Sequence, residues 1–223
     1  MAPDTHLAAR HRHPLLGNRH LRFSLGMPCV VITTQPRCSN HYSQDVTRRH
    51  DEEELLQAAV DLALDEGLGA LTFGRLAKRI GIADRTLVYY FTNKQTLLEA
   101  VLGVLAGRLM EQLSAAFGEL RRPPKELLRM AYPVLTRDEA NRIFALWFEF
   151  VGQAAVHHEP ERSLASVMLE AWIDWLTERI DARTRARARQ DAIAMIATID
   201  GALLMHHLGH VEAARSAVAA AAK

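Results

Sequence analysis

Cysteine is nearly missing from this 223-residue chain, and the two that occur, Cys29 and Cys38, both lie near its N-terminus. No disulfide framework and no zinc spacing can be written from them, which suits a reducing compartment and gives cytoplasmic location as the expectation. Aromatics are scarce too, at 6%. Alanine and leucine fill the periodic segments instead, which favours helix over sheet. No segment alternates with period two and no internal repeat occurs, so the expected architecture is all-α. No unbroken apolar run reaches the ~18–20 residues that a spanning helix needs. The stretch from Ser24 to Ile32 follows a basic start like a signal peptide, but Gly26 and Pro28 interrupt it; neither secretion nor a membrane is expected. Also missing are a glycine-rich phosphate loop, a nucleophile elbow and an HExxH pair. An enzyme is therefore not expected, nor any cofactor or metal. What is present is 49% hydrophobic residues, enough to build a real core in one large or two modest domains.

Charge is missing only locally. The net is +1, yet residues 51–71 hold seven acids and no Lys or Arg. Residues 72–98 reverse this, with five basic side chains and Asp84 as the one acid. Residues 99–223 are near balance, with 15 basic and 16 acidic side chains. Positive charge thus gathers in a short central stretch, a footprint expected for phosphate contact.

In chain order, residues 1–48 hold many His and scattered Arg with no helical stripe. A disordered tail is expected there, with a basic arm reaching a polyanion as the second reading. Asp51 to Glu66 is the first helix, with acids in its first turn and a stripe of Leu55, Ala59, Leu62 and Ala63. It reads as a brace whose acids face away from any polyanion. Thr72 is an expected N-cap for a short helix carrying Leu76, Ala77 and Ile80. Gly81 turns the chain, and a second short helix, started by Asp84 or Ala83 with Asp84 favoured as its cap, turns Leu87 and Phe91 inward. Lys94 opens a long helix to about Phe117. Further helices are expected over 125–135, ending or kinking at Pro133, and then over 138–156, 161–180, 184–208 and 211–222.

Two short helices joined by a tight glycine turn form a helix–turn–helix. Its second helix fits the major groove of B-DNA while the first crosses the backbone. The residues that carry it, Leu71-Thr72, Leu76-Ala77, Gly81-Ile82, Leu87-Val-Tyr-Tyr-Phe91, Asn93-Lys94 and Leu97-Leu98, resemble the DNA-binding domain of the tetracycline-repressor (TetR/AcrR) family of bacterial transcription regulators. The resemblance runs from Glu52 to Arg108. It implies a helix–turn–helix domain over 49–109 and a helical effector-binding and dimerisation domain over 110–223. Asp84, Arg85 and Thr86 match base-contacting positions, Tyr89 and Tyr90 match positions touching phosphates or bases, and Thr72 and Lys94 match phosphate-contacting positions. Arg75 joins them in the expected DNA-binding set. Ala83, Val88 and Tyr90 depart from the family's usual Ser, Tyr and His, which bears on which operator is read.

The family's function, carried over, is a ligand-responsive repressor that binds an operator as a dimer and is released by a small molecule. The alternatives are an activator of the same kind, or a helical protein-binding adaptor without a small-molecule ligand. Ile193, Ile196, Ala197, Leu203 and Leu204, with the small Ala194, Gly201 and Ala202, suit a homodimer seam. Tyr132, Trp147, Phe148, Phe150, Met168, Trp172 and Met195 form the candidate ligand-lining set, with plain core as the alternative for each. Asp200, an acid in an apolar run, fits either a ligand amine or the dimer seam, with the seam favoured. His206, His207 and His210 have helical metal-ligand spacing, but lack a carboxylate or Cys to complete a set. The Arg179–Arg189 series reads as a solvated surface.

Overall fold

The computed structural model describes residues 51–156 and 159–223. The tail 1–48 and the pair His157–His158 lie outside them. The described residues form α1 (Glu52–Glu66), α2 (Phe73–Ile80), α3 (Asp84–Tyr90), α4 (Lys94–Phe117), α5 (Pro124–Leu135), α6 (Asp138–Val156), α7 (Glu161–Thr177), α8 (Arg185–His207) and α9 (Val211–Ala221), with a 3-10 turn at Leu68–Ala70. No strand occurs among them, only an isolated bridge between Arg122 and Ile180.

Local chemistry sets most helix ends. Asp51, Thr72, Asn93 and Thr184 each accept a backbone N–H at the start of α1, α2, α4 and α8, satisfying donors that a helix start leaves unpaired. Gly81, at φ 73, closes α2 in the left-handed region, where a Cβ is disfavoured. α5 does not stop at Pro133 but runs on to Leu135. Side chains cover its last carbonyls: Thr136 donates to the Tyr132 carbonyl at 2.9 Å and Arg137 to that of Pro133 at 2.7 Å. α7 ends at Thr177, short of the expected Ile180. The chain there leaves the helix to pair with the residues before α5: Arg122 N–H donates to Arg179 O at 3.0 Å, and Asp181 N–H to Arg122 O at 2.8 Å.

Buried side chains from α1 through α9 form one continuous apolar core. α4 is its axis, with ten buried residues from Leu97 to Phe117, and it crosses 109–110 without a break. α4 is also the one helix among the described residues long and apolar enough, by length and composition alone, to cross a bilayer. Charge-poor stretches between Gln95 and Phe117 create that property, though no single apolar run there is long. Part of its apolar surface packs against α1, α5 and α6.

Candidate nucleic-acid interface and effector cavity

α2 and α3 are held by a few buried anchors, Leu76, Ala77 and Leu87, with Phe91 just beyond. That leaves the rest of α3 outward. Tyr89 is 83% exposed and Val88 47%. Tyr89 stands edge-on to Tyr90, ring centroids 5.3 Å apart. Arg85 is exposed and Thr86 half-buried. Ala83 occupies the N-cap position and supplies no side-chain bond, and the cap expected from Asp84 is not made. Asp84 is already the first helical residue, one step too far along to reach back as a cap. Its carboxylate lies beside Gly74 in the first turn of α2, while its charge still suits the start of α3.

The cations around this surface divide into two groups. Arg75 pairs with Glu66, and Arg79 with Asp65 at 2.6 Å. The last acids of α1 therefore turn towards α2 instead of away from it. Arg79 and, secondarily, Arg142 hold the Asp65 carboxyl below its ordinary range, and Asp65 in turn raises the Arg79 guanidinium. Lys78, Arg85 and Lys94 are exposed, and no acid pairs with them among the described residues. Lys78 was not among the sequence candidates. Its signal was only a third basic residue on a short helix, and the position of Asp65 and Glu66 decides which of the three stays unpaired. Lys94 begins α4, whose free backbone N–H groups add to its attraction for a phosphate. Thr72 caps α2 by accepting from Arg75 N–H at 3.3 Å, and its hydroxyl hydrogen stays available to donate.

α6 ties this unit to the helices behind it. Glu149 accepts from the backbone N–H groups of Leu68 at 2.9 Å and Gly69 at 3.0 Å. Arg142 donates to Leu64 O at 2.9 Å and Asp65 at 3.0 Å. Gly67, at φ 85, sits where a Cβ would come 3.1 Å from Glu149, so conformation and space both require glycine there. Arg108 of α4 bridges Gln57 of α1 at 2.6 Å and Glu139 of α6 at 2.5 Å.

Between α4, α5, α6, α7 and α8 lies a cavity of about 840 Å³, counting the space at its mouth. Leucines of α4, Phe117, Phe144, Trp147, Met168, Trp172, Trp175, Met195 and Ile199 line it, with Asp200. Of the sequence candidates, Trp147, Met168, Trp172 and Met195 belong to this lining. Tyr132, Phe148 and Phe150 do not. Tyr132 points to His206, its hydroxyl 3.3 Å from Nδ1; Phe148 stacks edge-on to His207; Phe150 is fully buried and packs against Trp147. Burial pushes the Tyr132 phenol up and the His207 imidazole down, His206 adding to the latter.

Asp200 lies in the cavity and not on the seam face favoured from sequence. Burial pushes its carboxyl up to about 6, partly offset by a hydrogen bond from Trp147. The phase of α8 explains the difference. Met195, Ile196, Ile199 and Asp200 share the cavity face, whereas Ile193, Ala197, Leu204 and Leu208 are exposed. Ala202 and Leu203, expected at the seam, are buried within the chain. Arg179 is not simply solvated either: its guanidinium lies 3.8 Å over the Trp175 ring.

The first part of this architecture matches the family model described as bacterial regulatory proteins, tetR family, over residues 55–101. The chain is 30% identical over 151 residues to the HTH-type transcriptional repressor KstR2 of Mycolicibacterium smegmatis, covering 62% of this chain and 67% of that protein. It is 32% identical over 71 residues to the tetracycline repressor protein class D of Escherichia coli, 32% of this chain and 33% of that one. A putative TetR-family transcriptional regulator from Rhodococcus sp. shares the fold, with a TM-score of 0.62 at 21% identity, covering 76% of this chain and 95% of that chain. Recognition helix, bracing helix and helical body therefore coincide with one family in sequence and in fold, and the chain belongs to the tetR family of bacterial regulatory proteins as a DNA-binding transcriptional regulator.

Proposed function

We propose that the protein is a repressor that binds an operator as a homodimer through α2 and α3 and releases it when a small molecule enters the cavity. The observation that carries this reading is the double duty of α4 and α6. α4 begins at Lys94 beside the recognition helix and ends at Phe117 in the cavity wall, a rigid span of about 36 Å at 1.5 Å per residue. α6 places Ile143, Phe144 and Trp147 in the cavity, while Arg142 and Glu149 grip the end of α1 and the turn after it. A molecule that fits better with α4 or α6 displaced shifts the protein towards that arrangement, because it binds the two states unequally.

The dimer rests on α8. Ile193, Leu204 and Met205 are exposed large apolar side chains on this helix, with Leu208 just past its end, and Ala194, Ala197 and Gly201 between them permit close approach. Two copies would present two recognition helices to half-sites about 34–36 Å apart, or a multiple of that. DNA contact falls to Thr72, Lys78, Arg85, Thr86, Tyr89, Tyr90 and Lys94, with Asp84 at the start of α3. Arg75 contributes only if its pair with Glu66 opens. Such a regulator works in the cytoplasm.

The test is binding of purified protein to DNA upstream of its own gene across a salt series, repeated with Lys94→Ala and Tyr89→Ala. Specific, salt-sensitive binding that weakens in both variants is expected. Equal affinity for random DNA, or indifference to both substitutions, rejects the reading. Operator position relative to the promoter separates repression from activation.

A further inference from the structure

The ligand class follows from what the cavity contains, granted the ligand-response reading above. Asp200 is the only titratable side chain in its lining among the described residues, and the rest of that lining is aliphatic or aromatic. No ion pair reaches Asp200 among the described residues; its one partner is Trp147. Near neutral pH it is still mainly an anion, held in an apolar enclosure without a countercharge, which opposes folding unless something compensates. All three tryptophans of the chain, Trp147, Trp172 and Trp175, line the same space. Indole faces attract cations, and the Trp175 ring already carries the Arg179 guanidinium at 3.8 Å.

We infer that the cavity takes a lipophilic amine, with the cationic nitrogen at Asp200 beside the tryptophans and the hydrocarbon portion along the leucines of α4. A carboxylate ligand would meet the Asp200 charge and find no cation in the lining. A neutral hydrocarbon or alcohol would bury Asp200 further and leave it unpaired. A sugar or nucleotide would find too few polar partners.

Because every tryptophan faces the cavity, intrinsic fluorescence reports its filling directly. The experiment titrates n-decylamine, n-decanol and n-decanoate, below their aggregation concentrations, into the full-length protein and its Asp200→Asn variant. Asn keeps the shape and an acceptor for Trp147 while removing the charge. In the wild type the amine should bind at least about tenfold more tightly than the alcohol, and the carboxylate most weakly; one charge-assisted contact is of that size. Asp200→Asn should lose about that tenfold for the amine and leave the alcohol within about twofold. Should the variant fold poorly, wild-type affinities at about pH 7.5 and pH 5 replace it. Protonation of Asp200 should then weaken the amine by about tenfold and spare the alcohol. Alcohol binding equal to or tighter than amine, tighter carboxylate, or amine affinity unchanged by both Asp200→Asn and pH overturns the proposal. DNA release is scored in parallel. An amine that binds as expected but leaves DNA bound overturns ligand-induced release and upholds the cavity chemistry. An alcohol or carboxylate that binds more tightly than the amine and releases DNA does the reverse.

Discussion

Tyr89 stands 83% exposed on a seven-residue helix, whereas Trp147, Trp172 and Trp175 turn into a cavity shared by five helices. The contrast extends to charge. Around α2 and α3, acids of α1 neutralise Arg75 and Arg79 and, among the described residues, leave Lys78, Arg85 and Lys94 unpaired on the surface. Among the described residues the cavity lining holds a single acid, Asp200, and no cation. Surface cations in water contribute little to stability and are free to take phosphates. An enclosed anion is costly to keep, which makes it sensitive to whatever enters. One region leaves its chemistry outside on the surface, the other leaves it unsatisfied inside.

The sharpest break of that contrast is Leu87→Ala. Leu87 is fully buried and anchors the recognition helix, so its loss should cost about 2–5 kcal/mol and abolish specific DNA binding. The tryptophan emission of the folded protein, read at low temperature, should stay native. Emission that shifts with the loss of DNA binding would mean that the two regions are not separable.

Asp200→Asn should act in the opposite direction on stability. The folded carboxyl is raised from 3.8 to about 6, so the folded state holds a proton that the unfolded state gives up between these values. Stability therefore falls as pH rises through that window. The variant removes the penalty and should be more stable at pH 7 by on the order of 2–3 kcal/mol. The gain should vanish near pH 4, read by denaturant unfolding at both pH values. Equal stability of the two proteins at pH 7 would refute the burial argument.

Glu149→Ala probes the joint between the regions. It removes the acceptor of two backbone N–H donors after α1, one part-buried and one exposed, with an expected loss of about 1 kcal/mol. The effect should fall on coupling: ligand and DNA each still bind, but ligand changes DNA affinity less than in the wild type. Unaltered coupling would move signal transmission from α6 to α4 alone. The smallest expected effect is that of Lys94→Ala, which should reduce the salt slope of DNA binding by about one unit at all sequences alike.

Much of the recognition unit is legible in the linear chain because its determinants are close neighbours. Thr72 caps the helix it precedes, Gly81 turns the chain where it stands, and Leu76, Ala77, Leu87 and Phe91 are spaced to face one core. The span of α4 and of α6 follows equally from Asn93-Lys94, the break before α5 and the Asp138 start. The body is less legible. An aromatic residue on an apolar stripe is core or cavity wall depending on helices far away in sequence. Trp147 and Phe150 lie three apart on α6 and touch, yet only Trp147 reaches the open space.

Sequence by itself determined that this is an all-helical protein with a helix–turn–helix near residue 80, because caps, turns and i, i+4 stripes act within a few residues. Tertiary structure decided three other things. Among the described residues it left Lys78, Arg85 and Lys94 without an acid beside α2 and α3, it joined Glu149 to a turn 80 residues earlier in the chain, and it placed Asp200 in the cavity instead of on the outer face of α8. Each depends on helix phase and on long-range packing. One residue along a helix rotates a side chain by about 100°, and what it then meets belongs to another part of the chain.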